Sequence, residues 1–319
     1  MKKTIVNEVH VEGYLYEHTL EKKVSKKNVE YIRGKIAIAT DEEITNIVDV
    51  YYTYVTPIFS KSQKPNKTYE LLENIRNSGT SKTYMGAGKE NAIKLRVDTN
   101  LTLNEWYDKG TGDLVSVMRA EGGFVHNTPT LNPDEKKRNT FKVDMLISGV
   151  FPKEADEEKN IAAHAVIKGA IFNDFTKALL PTSFVVYNPM AITYFTNLEP
   201  SASKPVFTKL WGNITSQETK TCVETENAFG EKLIEEKTTT KKEYVITGAQ
   251  SDIYEWDCED TILAAEVVKA QSDREMYLAE MKKDQEEREA AKVTQSAPSI
   301  LNTPSSTGAA TQAGSTFKF

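Results

Sequence analysis

Cysteine is scarce in this chain of 319 residues, which contains only Cys222 and Cys258. The two do not form a CxxC motif, and no histidine pair lies near them, so their spacing offers neither a disulfide framework nor a zinc site. We therefore expect two free thiols and no bound metal.

Long apolar runs are also missing. No stretch approaches the roughly 18 residues that cross a bilayer. The initial Met-Lys-Lys is followed by the polar residues Thr4 and Asn7 rather than by the apolar core of a signal peptide. This pattern excludes a membrane protein and predicts a cytoplasmic one.

Catalytic signatures are absent as well. Around Gly86 and Gly88, a phosphate-binding loop would need a glycine where Thr83 stands and a hydroxyl residue where Glu90 stands. No pair of carboxylates has a spacing that suggests acid–base chemistry. The four histidines have no nucleophile motif beside them: His10, His18, His126 and His164. The sequence predicts a protein that is not an enzyme and needs no cofactor.

Positive charge is not in excess overall, because the net charge is −6. The acidic residues are concentrated, however: residues 257–292 hold 11 acidic and 6 basic side chains, a local charge of −5. The rest of the chain is therefore close to neutral, at −1 (−6 minus −5). A near-neutral body can still carry local basic patches, and these decide whether nucleic acid binds.

What the chain does contain is a repeat of one plan. Residues 9–56 and residues 141–189 each show an apolar strand with a glycine, a charged connection, a second strand with a glycine, and an apolar third strand. The marker glycines are Gly13 and Gly34 in the first copy, and Gly149 and Gly169 in the second. Their separations of 21 and 20 residues predict two domains built alike.

Alternating and helical patterns place further elements after each third strand. In the first copy we predict strands at 9–17, 31–39, 47–55, 92–106 and 113–120, with a helix at 67–77. In the second we predict strands at 142–151, 162–173, 183–187, 206–217 and 243–249, with a short helix at 188–195. Three strands, a helix and two strands is the order of the five-stranded OB barrel.

The predicted fold class is mainly β: two OB-fold-like five-stranded barrels in tandem, followed by a C-terminal α-helix and a disordered tail. The predicted domains are 1–127, a linker at 128–140, 141–257, an acidic helix at 258–293 and the tail at 294–319. Residues 219–242 should form an exposed or mobile loop. The start of the helix should dock through apolar side chains: Ile262, Leu263, Ala265, Val267 and Val268.

Aromatic and basic residues on the strand faces opposite the core are the candidate binding residues. A single strand of DNA exposes base faces, on which aromatic rings stack, and phosphates, which attract Lys and Arg. The candidates are Tyr14, Tyr16, Lys22, Lys23, Lys26, Lys27, Tyr31, Arg33, Lys35, Lys94 and Arg96 in the first copy, and Lys168 and Phe172 in the second. Tyrosine is also favoured in strands for other reasons, and lysine-rich hairpin tips are often merely solvated. We assign Tyr52 and Tyr54 to the core, since they share a face with Val48 and Val50.

The strand–glycine, charged excursion and Ile-Ala-Ile-Ala-Thr ending of residues 9–40 resemble the opening of single-stranded-DNA-binding proteins. Over residues 9–256 the chain is similar to bacteriophage-type single-stranded-DNA-binding proteins with tandem OB folds. The resemblance implies a protein that coats exposed strands in phage DNA replication or recombination, in the cytoplasm of a bacterial host. The chain departs from the bacterial pattern at its end, Phe317-Lys318-Phe319, which lacks an acidic tip.

Two functions from different classes are consistent with these patterns. The first is largely sequence-independent binding of single-stranded DNA, with replication or recombination proteins as further partners through the C-terminal helix or tail. The second is a non-enzymatic structural or interaction protein whose paired β-barrels mediate assembly. The face of Tyr31, Arg33 and Lys35 favours DNA, whereas the near-neutral body and the less basic second copy favour assembly. The sequence leaves the oligomeric state open.

Overall fold

A computed structural model describes residues 5–59, 61–156, 161–173, 176–225 and 233–296. The fold is mainly β. The strands are β1 (Asn7–His18), β2 (Glu21–Val24), β3 (Glu30–Ala39), β4 (Ile47–Val55), β5 (Lys94–Tyr107), β6 (Leu114–Asn127), β7 (Asn139–Lys153), β8 (His164–Phe172), β9 (Leu179–Val186), β10 (Val206–Thr225) and β11 (Leu233–Ala249). The helices are α1 (Lys67–Ser78), α2 (Tyr84–Ala87), α3 (Pro189–Asn197) and α4 (Ala264–Ser296).

Five strands of the first copy pair in a closed cycle, which we call the first ring. β1 pairs antiparallel with β3, β3 with β4, β5 with β6 and β5 with β1. A short parallel contact between β4 and β6, at Val50↔Ala120 and Tyr51↔Glu121, closes the cycle. With α1 between the third and fourth strands, this is the strand order of the OB fold.

The second copy repeats the cycle as the second ring. β7 pairs with β8, β8 with β9, β10 with β11 and β10 with β7, all antiparallel. β9 and β11 meet in parallel at Val185↔Val245, and α3 occupies the place of α1. The predicted mainly β fold with an OB-like strand order in each copy is confirmed.

The two rings are joined through their first strands. β1 and β7 pair antiparallel from Asn7↔Val143 to Val11↔Asn139, so the sheet runs from one ring into the other. The predicted linker at 128–140 is packed: Arg138 is buried, and its guanidinium lies 2.8 Å from Glu42 Oε1. Residues 1–277 cluster as one compact unit. The division into domains within this unit stays a prediction.

Burial follows the strand alternation in both rings. Inward apolar side chains of the two rings form one continuous core that includes Leu15, Ile36, Val50, Ile147 and Phe184. Burial of such side chains is the main stabilising contribution to a fold of this kind. Tyr52 belongs to this core, as predicted.

A second, smaller cluster docks the start of α4 on the second ring. Ile262 and Val267 pack there with Phe172 and Phe207, as the predicted docking face requires. Ala265 and Val268, also assigned to that face, are exposed instead. Val268 follows Val267 by one residue and therefore points about 100° away around the helix. The described residues from Leu278 onward belong to a separate unit. No helix of the described segments is long and apolar enough to cross a membrane.

The predicted loop at 219–242 is wrong over its described part. β10 and β11 continue as an antiparallel ribbon from Trp211↔Gly248 to Thr225↔Leu233. The segment is rich in β-branched threonine, and two adjacent strands can pair without support from the rest of the fold. Residues 226–232 lie outside the described residues. The tail was predicted at 294–319; residues 294–296 belong to α4 instead, and residues 297–319 lie outside the described residues.

Candidate nucleic-acid interface

The predicted lysines at the tip between the first two ring strands lie on a hairpin. β2 pairs with β3 from Glu21↔Arg33 to Val24↔Glu30, and the turn closes through Ser25 N–H to Val29 O at 2.9 Å. This hairpin extends the first ring at its edge. It presents the lysines to solvent, as the sequence predicted.

Three cations of the hairpin are engaged with carboxylates. Lys22 Nζ lies 2.9 Å from Glu30 and 3.0 Å from Glu73, and hydrogen bonds to these carboxylates raise the pKa of Lys22. Lys23 and Arg33 both contact Glu21, at 2.9 and 3.5 Å. A phosphate would have to compete with these exposed pairs, which are weak because solvent screens them.

Lys26 and Lys27 differ from their neighbours in the hairpin. Both are exposed in the turn, and neither makes an ion pair with any described residue. They are the hairpin cations that can take up a phosphate without breaking an existing contact.

Lys35 lies farther along β3, where the two rings meet. Its Nζ is 3.2 Å from Asp49 and 3.5 Å from Glu17, and Asp49 also receives Lys242 of the second ring at 3.4 Å. Partial burial lowers the pKa of Lys35, but the charge and hydrogen bond of Asp49 together with the charge of Glu17 outweigh it, and the net shift is upward. Lys35 therefore contributes to the contact between the rings, in addition to any role in binding a ligand.

Tyr14 and Tyr16 lie on the outer side of β1 but offer little open ring surface. Tyr14 is almost buried, with the Nζ atoms of Lys89 and Lys94 lying 5.2 and 5.8 Å from its ring centroid. Tyr16 stacks on Tyr84 at 5.7 Å. These contacts occupy the faces on which a base would have to stack.

The remaining predicted residue of β5 is Arg96. It is exposed, and its guanidinium pairs with Asp98 at 2.9 Å. Arg96 is available at the surface, but its charge is balanced by that carboxylate.

In the second copy the prediction for Phe172 is wrong. This side chain is fully buried in the smaller cluster, edge to face with Phe207 at 6.5 Å between ring centroids. The outer face of β8 is covered there by Phe207 and by Ile262, which precedes α4. Lys168 is exposed as predicted, with Nζ 4.9 Å from the ring centroid of Phe151.

The structure brings together exposed aromatic residues that sequence reasoning missed. They line a groove of about 620 Å³ at the end of the first ring, which we call the aromatic groove; its exposed apolar lining is Val29, Tyr54, Ile58, Phe59 and Phe124. Tyr31 packs against Tyr54 with the ring centroids 4.5 Å apart, so one predicted residue does border the groove.

Tyr54 was assigned to the core, and that prediction is wrong. Its side chain is 53% exposed, although Tyr52 on the same alternation is buried. Tyr54 lies one residue before the end of β4, beyond the layer of side chains that fills the ring. Alternation predicts the side of a strand and says nothing of where the core ends along it.

The exposure of Phe124 follows from a backbone irregularity. The pairing of β5 and β6 shifts register between Asp98 and Asn100, opposite Gly122 and Gly123, whose φ angles are +73° and +77°. A Cβ at Gly123 would collide with the carbonyl oxygen of Asp98, so only glycine fits this bulge. A bulge of this kind re-aims the next side chain. The Gly-Gly-Phe sequence was the available signal.

Exposed lysines lie in turns that adjoin residues lining the aromatic groove. The turn that carries Lys26 and Lys27 closes on Val29, which lines the groove. In another turn, Phe59 N–H donates to the carbonyl of Lys64 at 2.9 Å, and the Lys64 side chain is exposed. Flat apolar surface near cations is the arrangement that a single strand of nucleic acid requires.

The described residues contain no group of three His, Cys, Asp or Glu side chains that could hold a metal ion. Cys258 is a free thiol, as predicted.

Comparison with known proteins gave three results. The sequence model of the YorF family matches residues 5–285. No curated protein matches the chain. Among solved structures, wild-type single-stranded DNA binding protein from Thermus aquaticus aligns with a TM-score of 0.46 and 10% identity over 78% of this chain and 93% of that chain. A deletion mutant of the same protein gives 0.45 and 9% over 80% and 98%. Neither likeness is close enough to bear on function.

Proposed function

The chain belongs to the YorF family, and we propose that it binds single-stranded DNA, largely without sequence preference, in the aromatic groove of its first ring. The observation that carries the proposal is the group of solvent-exposed rings that line this groove, Tyr54, Phe59 and Phe124, with exposed lysines in the neighbouring turns. Every base has a flat face, so stacking on such rings tolerates any sequence.

Energetics favour the aromatic residues as the main source of affinity. Stacking of a base on an aromatic side chain is worth about 1–3 kcal/mol by alanine substitution. The cations contribute less wherever they must first leave a carboxylate, as Lys22, Lys23 and Arg33 must. Lys26 and Lys27 do not incur this cost. Binding should therefore be tight at low salt and should weaken as salt rises.

The biological role we infer is protection of exposed strands during DNA replication or recombination, in the cytoplasm, without hydrolysis of the strand. Replication or recombination proteins are candidate partners through the acidic residues 257–292 or the chain that follows them.

The test is fluorescence anisotropy of labelled oligo-dT at low and moderate salt, with duplex DNA in parallel. Phe124→Ala and Tyr54→Ala should each weaken binding of the single strand by about 1–3 kcal/mol, roughly 5- to 150-fold. Tyr277→Ala is the matched control, because Phe124 and Tyr277 are both 56% exposed and Tyr277 lies on α4, away from the groove. Melting curves should show that all three variants remain folded.

Two results would contradict the proposal. If the wild-type protein binds neither single-stranded nor duplex DNA at low salt, the function is wrong. If the single strand binds but Phe124→Ala and Tyr54→Ala behave like Tyr277→Ala, the site is wrong.

Assembly is the second candidate, and one observation favours it. The hairpin of β5 and β6 carries exposed Trp106 and Val117 on one face, with Val115 between them as the cross-strand partner of Trp106. An apolar face on a projecting hairpin is typical of contacts between proteins. A protein that binds no nucleic acid but forms oligomers in light scattering, disrupted by Val117→Lys, would support this candidate instead.

A further inference from the structure

Trp211 of the second ring has the properties of a stacking residue. It lies on β10, is 40% exposed, and occupies in the second ring the place that Asp98 has in the first, since Asp98 pairs with His10 of β1 and Trp211 pairs with Lys142 of β7. Gly248 is its partner on β11, and a Cβ at Gly248 would collide with the indole ring. The indole therefore lies against the backbone of β11 at Gly248, and the side chain remains partly exposed to solvent.

Trp211 and Phe124 lie on the same outer face of the sheet that joins the rings. The strand registers connect the two residues step by step. Phe124 of β6 pairs with Asp98 of β5, and Asp98 pairs with His10 of β1. His10 pairs with Thr140 of β7, and Thr140 pairs with Asn213 of β10. Asn213 is two residues from Trp211 and so points to the same side. Four strand spacings of about 4.8 Å put roughly 19 Å of outer face between the two aromatic residues.

A second groove extends the aromatic groove across this face as far as Lys142, the strand partner of Trp211. This second groove, of about 520 Å³, is lined by His10, Asp98, Thr140 and Lys142. Phe124 lines both this groove and the aromatic groove, so the two meet at its ring. A strand that leaves the aromatic groove over Phe124 enters the second groove directly.

The carboxylates of this face lie beside cations or histidine. Asp98 is held by Arg96 at 2.9 Å and by His10 at 2.8 Å. Glu8 stands opposite Lys142 in the register of β1 and β7. Lys142 is in turn the β7 partner of Trp211, which places a cation beside the exposed indole. In such a pair the cation binds a phosphate and the aromatic ring stacks on a base.

We propose that single-stranded DNA bound in the aromatic groove continues over Phe124, crosses the outer face of β5, β1 and β7, and stacks on Trp211. Both rings then contribute to one continuous site. The inference rests on the function proposed above and adds the direction of the strand and a base-stacking residue in the second ring.

The test compares two lengths of labelled oligo-dT, about 5 and about 15 nucleotides, near the lower and upper ends of the range of site sizes known for OB folds. The short oligonucleotide fits the aromatic groove alone, whereas the long one reaches Trp211. Trp211→Ala should weaken binding of the long oligonucleotide by about 5- to 100-fold and leave the short one unchanged. Trp106→Ala is the matched control, because Trp106 is also 40% exposed but lies on the β5–β6 hairpin.

Tryptophan fluorescence gives an independent readout. The long oligonucleotide should quench the emission of the wild-type protein, and Trp211→Phe should remove most of that quenching while Trp106→Phe keeps it. If both lengths bind but Trp211→Ala has no effect on the long one, or if Trp106→Ala weakens it instead, this path is overturned while the proposed function stands. If neither length binds, the proposed function fails and this inference with it.

Discussion

The two rings share a strand order and differ in where they place their aromatic side chains. In the first ring Tyr54, Phe59 and Phe124 are exposed around one groove. In the second, Phe141 and Phe184 stack in the core at 5.0 Å, with the ring of Tyr244 6.2 Å from each. The comparison shows that a repeated strand plan constrains the interior, whereas strand ends and bulges decide what the surface can bind.

The two rings also differ in whether their exposed lysines are already engaged in contacts. The first ring has two lysines in an exposed turn without ion pairs among the described residues, Lys26 and Lys27. The second ring presents Lys168 over the ring of Phe151, a contact that already uses the aromatic face. We therefore expect the first ring to supply most of the salt-dependent binding.

The largest effect expected from this comparison is on stability. Phe172→Ala should lower the free energy of unfolding by about 3–5 kcal/mol, since it removes a fully buried ring and leaves a cavity. Phe151→Ala in the same ring should change it by less than about 1 kcal/mol, since Phe151 is exposed. Urea unfolding measures both values. Equal losses would show that the two phenylalanines are not partitioned between core and surface as described.

An intermediate effect is expected on salt dependence. The Lys26→Ala/Lys27→Ala double variant should reduce the slope of log affinity against log salt by about 1.4, since each phosphate contact to a single strand contributes about 0.7. Lys168→Ala should leave the slope unchanged. Anisotropy titrations at several salt concentrations check this prediction. A change in slope with Lys168→Ala alone would place the phosphate contacts on the second ring instead.

The smallest effect concerns the ion pairs beside the junction of the rings. Hydrogen bonds from Lys89 and Arg138 hold the pKa of Glu42 at about 2, below its ordinary value of 4.5. A carboxylate with a depressed pKa stabilises the fold above its unfolded-state pKa, and this contribution is lost as pH falls through the folded-state value.

Glu42→Gln should accordingly lower the melting temperature at neutral pH by an amount equivalent to less than about 1 kcal/mol, because Glu42 is largely exposed. The difference from wild type should shrink between pH 4.5 and pH 2 and vanish below. Melting curves across this range test the assignment. A difference that persists below pH 2 would assign the effect to packing rather than charge.

Much of the fold was predictable because it depends on local patterns. Strict alternation in residues 9–17 and 31–39 placed β1 and β3, and helical spacing after the third strand placed α1. The repeated glycines indicated the second ring. These signals are local because side chains alternate along a strand and recur every 3.6 residues in a helix whatever the rest of the chain does.

The candidate site was less predictable, because exposure depends on residues far away in the chain. Alternation placed Tyr14 and Phe172 on outward faces, but Lys89 and Lys94 cover the first and Phe207 and Ile262 cover the second. Phe124 gained its exposure from a bulge opposite Asp98.

The sequence by itself determined the strand order, the two-copy plan and the docking of the C-terminal helix through Ile262 and Val267. Only the tertiary structure decided which outward face stays open. The physical reason is that alternation distinguishes the two sides of a strand, whereas the covering of a side is a contact between segments that no local pattern records.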